Sequence, residues 1–300
     1  MPKNDKIAFF YAVLAMFCWS TVAVAFKRAL ENMTPAQLLL ISNYVAMLSL
    51  IVQVVVQGKI KDCIRQTGRQ VTSSLLLGFL NPFLYYLILF KAYALLPAQV
   101  AQPINFIWPV ILMLLSVPLL RQKLHFISLI ALLVSFTGVF VLSLQGRTDV
   151  LHIEEPAGVL LALSSSLIWA LYWIFNVKDK RDDQVKLMTN FSVSSVYITL
   201  WCLLTGEFTG IDGAGILPSV YSGLFEMGIT FVLWLKALQY ATTTAKVTNL
   251  IYLTPFLSLI FIHLFLHEKI YLTSLIGLIL IITGIILQQY GFNGEKREKS

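Results

Sequence analysis

Glu226 is the carboxylate that lies most clearly inside an apolar run, about Pro218 to Ala241. At about 1.5 Å per residue it sits roughly 12 Å along a helix. An acid at such depth is a functional candidate, and its chemistry would be to take up and release a coupling proton. The plainer reading is a Glu solvated near an outer vestibule.

A second group combines amides, aromatic rings and prolines. Gln102-Pro103 and Asn105-Phe106-Ile107-Trp108-Pro109 lie in one apolar run, and Thr248-Asn249 and Tyr252-Leu253-Thr254-Pro255 in another. A proline inside a helix frees a carbonyl and bends the axis, and amides at membrane depth are costly unless they face protein or water. Bent helices carrying Gln102, Asn105, Asn249 and Tyr252 therefore belong around a cavity, with Pro109 and Pro255 as its hinges. Packing kinks, with the amides bonded to neighbouring helices, are the bland alternative. Rings with a polar edge recur at Trp19, Tyr85, Tyr86, Trp108, Trp169, Tyr172, Trp234 and Tyr252. Lining a cavity, they would suit a flat or amphipathic organic solute. Such rings also gather at membrane interfaces, and Tyr197 and Trp201 are assigned there.

Lys91 and Lys236 each precede an Ala and occupy near-equivalent places in two like stretches. Snorkelling explains both; a gating or anion-attracting role at two mouths is the sharper reading. His263 and His267 have i, i+4 spacing but no accompanying carboxylate motif, so no metal site is expected. No phosphate loop, nucleophile elbow or acid–base pair is present. The expectation is a protein that is not an enzyme and needs no cofactor.

The elements that must position these residues are membrane spans. Of 300 residues 58% are hydrophobic and only 12% charged, with mean hydropathy +0.79. Soluble domains carry about a quarter charged residues. Here apolar runs long enough to cross about 30 Å of hydrocarbon recur throughout. The chain reads as all-helical and polytopic, and its net charge of +7 is a topology signal, with no nucleic-acid partner implied. Cys18, Cys63 and Cys202 are expected as free thiols.

Ten spans follow in order, at about 7–25, 35–56, 71–94, 99–120, 126–144, 157–175, 187–204, 218–241, 244–266 and 271–290. The small-residue end Ala23-Val24-Ala25 imitates a signal-peptide cleavage site. That reading fails because Cys18-Trp19-Ser20 has a counterpart in Ile168-Trp169-Ala170.

Pro109 and Pro255, Lys123 and Lys269, and Thr137-Gly138 and Thr283-Gly284 keep one offset. One unit is used twice, over 7–144 and 157–290, joined by a polar linker at 145–156. Lys and Arg concentrate in alternate loops, for example Lys59, Lys61, Arg65 and Arg69, then Lys178, Lys180, Arg181 and Lys186. That bias predicts both termini in the cytoplasm of a cell (plasma or inner) membrane. Five spans per unit then invert the second unit, the architecture of alternating-access carriers.

The paired Trp signatures, the two prolines and the Gly ends of spans five and ten together resemble the drug/metabolite transporter superfamily, EamA type, over about 7–290. Cys18-Trp19-Ser20-Thr21 and the Asn105–Pro109 run are similar to those of bacterial aromatic amino acid exporters. The resemblance implies a central cavity lined by spans one, three, four, six, eight and nine, with Phe106, Trp108 and Trp169 in it. Phe106 stands where a Tyr is frequent, and Gln122 where many members carry Glu; the second unit keeps Glu268. The expected function is secondary transport, in the export direction, of a small organic metabolite such as an aromatic or neutral amino acid. Proton coupling and a homodimer are compatible with it. A drug or nucleoside-like permease is the runner-up. A membrane scaffold would not need two inverted halves with polar residues at midspan.

Overall fold

The structure, a computed structural model, describes residues 4–120, 126–146, 155–241, 250–251 and 253–298. Among these every regular element is helical. The first unit holds α1 (Asp5–Leu30), α2 (Pro35–Val56), the short α3 (Ile60–Ile64), α4 (Gly68–Gly78), α5 (Tyr85–Leu95), α6 (Ala98–Asn105), α7 (Trp108–Leu120) and α8 (Phe126–Ser143). The second holds α9 (Pro156–Lys178), α10 (Asp183–Thr205), α11 (Gly213–Ser222), α12 (Ile229–Tyr240), α13 (Thr254–Leu266) and α14 (Leu272–Glu298). Among the described residues six stretches are long and apolar enough to cross a membrane: Asp5–Leu30, Pro35–Val56, Gly68–Leu95, Pro156–Asn176, Asp183–Thr205 and Gly213–Tyr240.

Local chemistry sets the helix ends. Asn4 accepts from the amides of Lys6 and Ile7 to open α1. Thr34 with Gln37, and Thr67 with Gln70, form capping boxes at α2 and α4. Gly206, at φ 76°, closes α10 in the left-handed region. Phe9, Phe10, Phe17, Val52, Leu160 and Leu264 are exposed. In water such a belt would be a liability; against lipid it is the expected outer surface.

Inside, small residues let helices approach closely. Ala8, Ala12 and Ala15 of α1 pack on Trp234, Ala237 and Ala241. One relation repeats between the units. A Cβ at Gly78 would lie 2.6 Å from the Asn190 carbonyl oxygen of α10, and one at Gly223 would lie 2.5 Å from that of Ser42 in α2. Gly78 precedes a stretch, Phe79–Leu84, that kinks at extended Asn81 (φ −148°, ψ 124°), and Gly223 opens a wide π-type turn, Gly223–Gly228.

Both hinge prolines need correction. Pro109 and Pro255 do not bend continuous helices. The fourth span opens at Phe106-Ile107, and Pro109 stands in the first turn of α7. Pro255 likewise stands in the first turn of α13. Proline is favoured there because its missing N–H would have had no helical acceptor. The last helix also runs beyond Tyr290, to Glu298.

The two ends of the bundle are tied differently. At the end carrying the 59–69 loop, Arg181 Nε donates to Asp179 Oδ2 at 3.0 Å, its Nη1 donates to Ser74 at 2.8 Å, and Lys59 pairs with Asp182 at 2.8 Å. Burial alone would raise the pKa values of Asp179 and Asp182. Bonds and charge from Arg181 and Lys59 outweigh it and hold both carboxyls below their ordinary 3.8. At the opposite end Glu268 accepts from the amides of Ala98 at 2.9 Å and Gln99 at 3.2 Å. These are free donors of the first turn of α6. Lys27 Nζ closes the end of α5 by donating to the carbonyls of Tyr93 and Leu96 at 2.9 and 3.0 Å.

Candidate functional site: a central aromatic cavity

The wide turn Gly223–Gly228 aims Glu226 inward. Such a turn displaces carbonyls from the helical ladder, and they need other donors. Thr230 Oγ1 donates to the Phe225 carbonyl at 2.5 Å, and Trp19 Nε1 to the Glu226 carbonyl at 3.3 Å. The carboxylate Oε1 accepts from the Tyr86 hydroxyl at 3.0 Å. Among the described residues no cation pairs with it.

Rings continue from Tyr86 in a closed circuit. Tyr86 meets Tyr85 edge-on with centroids 4.6 Å apart, and Tyr85 lies 4.7 Å from Trp169. Trp169 and Trp19 each lie 6.3 Å from Phe231, and the Trp19 indole returns to Glu226. These separations are those of favourable aromatic pairs. The circuit joins α1, α5, α9 and α12.

It encloses part of a cavity of about 160 Å³. The walls come from spans one, three, four, six, eight and nine. Trp19, Tyr85, Gln102, Asn105, Phe106, Trp108, Trp169 and Glu226 line it. Tyr86 and Tyr172 do not, and their expected place in the lining is corrected. Tyr86 is fully buried and reaches Glu226 from behind, while Tyr172, also buried, packs behind Trp169 at 5.8 Å. The cavity sees one stripe of each helix. On α5 that stripe is Tyr85, Leu89 and Tyr93; on α9 it is Trp169 and Trp173. Tyr86 and Tyr172 are turned off it. Asn249 and Tyr252 lie outside the described residues.

Asn105 lines the cavity with its amide already committed. Its Oδ1 accepts from the Tyr85 hydroxyl at 3.1 Å, and its Nδ2 donates to Ser165 at 2.9 Å. Ser166 Oγ donates to the Asn105 carbonyl at 3.0 Å, covering a group freed by the break in the fourth span. Asn105 thus ties that break to α5 and α9. Gln102 has no such partner among the described residues. Lys91 is exposed, away from the cavity. Lys236 Nζ sits 5.4 Å from the Tyr11 ring centroid, between α12 and α1. Neither lysine touches the cavity.

Phe26, Tyr93, Trp173, Phe231, Trp234 and Thr254 complete much of the lining. Four-residue spacing from Tyr85 and from Trp169 points to Tyr93 and Trp173; Phe26 and Phe231 carry no polar signal that would separate them from core. Among the described residues no cluster of three or more His, Cys, Asp or Glu side chains could hold a metal ion.

The EamA-like transporter family model matches residues 6–144 and again 156–288. An uncharacterized transporter of Bacillus subtilis strain 168, YvbV, is 31% identical over 217 residues, covering 70% of this chain and 69% of its own length. An uncharacterized transporter of Clostridium kluyveri is 22% identical, covering 94% of this chain and 93% of its own. A solved crystal structure superposes with TM-score 0.66 at 20% identity, covering 93% of this chain and 95% of that one; it shows the fold alone. Two family matches, apolar helices exposed around the bundle and relatives named as transporters agree: the chain is a multi-pass membrane transporter and belongs to the EamA-like transporter family.

Proposed function

We propose that this protein is a secondary transporter that exports a small organic metabolite, in first place a neutral or aromatic amino acid, by alternating access. The observation that carries this reading is the cavity between the two units, walled by rings and bordered by broken helices. Its volume of about 160 Å³ is that of a space holding one six-membered ring. Drug-sized ligands need about 300 Å³ or more, so a compact metabolite fits better than the drug or nucleoside-like alternative. The two units enter the bilayer from opposite sides with both termini in the cytoplasm, and the broken fourth and ninth spans rock against the rest. Glu226 carries the coupling proton, since it is the carboxylate facing the cavity.

The test is efflux from proteoliposomes across an amino acid panel, with and without a proton gradient. Saturable, gradient-dependent flux of at least one neutral or aromatic member is expected. A flat panel from protein that is folded and inserted overturns the amino acid assignment.

A further inference from the structure

We propose that Glu226 and the ring circuit form an ammonium-binding subsite, so that the transporter recognises its solute through a cationic amine and provides no counter-ion for a carboxylate. This rests on the reading of the chain as a transporter of small organic solutes and shifts its substrate class from free amino acids to amines. Glu226 lines the cavity, and one of its oxygens, Oε1, is taken by Tyr86. Oε2 has no protein partner among the described residues. The carboxylate is the sole formal charge among the described lining residues, which include no Lys, Arg or His. Lys27 of α1 does not line the cavity and is spent on the carbonyls of Tyr93 and Leu96.

The rings of Trp19, Tyr85, Trp169 and Phe231 line the same cavity as that anion. An ammonium there gains a charge-assisted hydrogen bond to the carboxylate and attraction to the ring faces. A solute carboxylate would instead meet a like charge at Glu226 and would leave water without a counter-ion. The Asn105 amide is bonded to Tyr85 and Ser165; the uncommitted Gln102 amide can donate a hydrogen bond to a carboxylate but brings no charge to offset its repulsion by Glu226. The preferred solutes are therefore single-ring amines, and amino acids whose carboxyl is masked as amide or ester.

Binding is measured on the full chain in lipid nanodiscs by calorimetry, with 2-phenylethylamine, phenylalaninamide, phenylalanine and 3-phenylpropionate. The two amines are expected to bind at least 10-fold tighter than phenylalanine, and 3-phenylpropionate to show no saturable binding. Glu226→Gln is expected to remove most of the amine preference. Phenylalanine binding as tightly as its amide would overturn the proposal on the unaltered protein, whether or not the variant folds. The same four solutes are then followed in proteoliposomes. Amines that bind but do not cross would sink the transport reading and leave the subsite standing. Phenylalanine crossing faster than its amide would sink the subsite and leave transport standing.

Discussion

The hydroxyl of Tyr86 on α5 donates to the carboxylate of Glu226 at 3.0 Å, across the boundary between the two units of the chain. Tyr86 is itself shut away from the cavity, fully buried beside Phe90. It holds the acid from behind and leaves the other oxygen to the cavity. A hydrogen bond to such a group is worth about 1.5–3 kcal/mol. Tyr86→Phe keeps the ring and removes the bond, and is expected to lower transport about 10-fold or more. Tyr172→Phe changes a hydroxyl that does not reach the acid, and should leave transport within about two-fold. Initial rates in proteoliposomes decide it; equal losses in both variants would argue against the Tyr86 bond.

Asn105 and Trp108 stand three residues apart and are expected to fail differently. The Asn105 amide joins Tyr85 to Ser165, so Asn105→Ala leaves two buried partners short of a bond. Melting in detergent should fall by the equivalent of about 1–3 kcal/mol, together with transport. Trp108 lines the cavity and makes no hydrogen bond among the described residues. Trp108→Ala should abolish or strongly reduce transport with a smaller loss of stability. Full transport by that variant would remove Trp108 from the site.

How much of this is legible in the sequence follows from what each feature depends on. Spans are legible because a bilayer demands about 20 apolar residues in a row. The doubled unit is legible because Pro109 and Pro255, or Thr137-Gly138 and Thr283-Gly284, recur at one offset. Helix phase is harder. Tyr172 and Trp173 are neighbours with similar chemistry, yet only Trp173 lines the cavity, and that depends on how α9 is rotated by its packing. The wide turn at Gly223–Gly228 leaves no compositional trace, although it aims Glu226. Proline misleads in a physical way: its cost inside a helix suggests a kink, whereas Pro109 and Pro255 take the helix-start position where that cost vanishes.

Acid should loosen the end of the bundle tied by Arg181. Asp179 and Asp182 are held below the ordinary 3.8 by Arg181 and Lys59. A carboxyl depressed on folding stabilises the folded state above its ordinary value. That contribution drains away as pH falls through the lower, folded value. The melting temperature should therefore drop as pH is taken below 3.8. The double variant Asp179→Asn, Asp182→Asn should be less stable near neutrality and should show a shallower acid limb. A limb unchanged by the double variant would place the acid sensitivity elsewhere.

At the other end Glu268 clamps the start of α6 through the amides of Ala98 and Gln99, and Gln99 Nε2 donates to the Lys269 carbonyl at 2.8 Å. The corresponding position in the first unit is Gln122, a neutral amide, which lies outside the described residues. A carboxylate on free helix amides also meets the positive end of the helix dipole; an uncharged amide gains less. The two ends should accordingly differ in how firmly they shut. Removing a cap of this kind costs about 1 kcal/mol, which is about five-fold in the closed-to-open ratio. Glu268→Gln is expected to raise thiol labelling of a cysteine placed at Ala98 several-fold in a background without Cys18, Cys63 and Cys202. Labelling at Ala98 that ignores the Glu268 change would mean that contacts such as Lys27 with the Tyr93 and Leu96 carbonyls, rather than Glu268, hold that end closed.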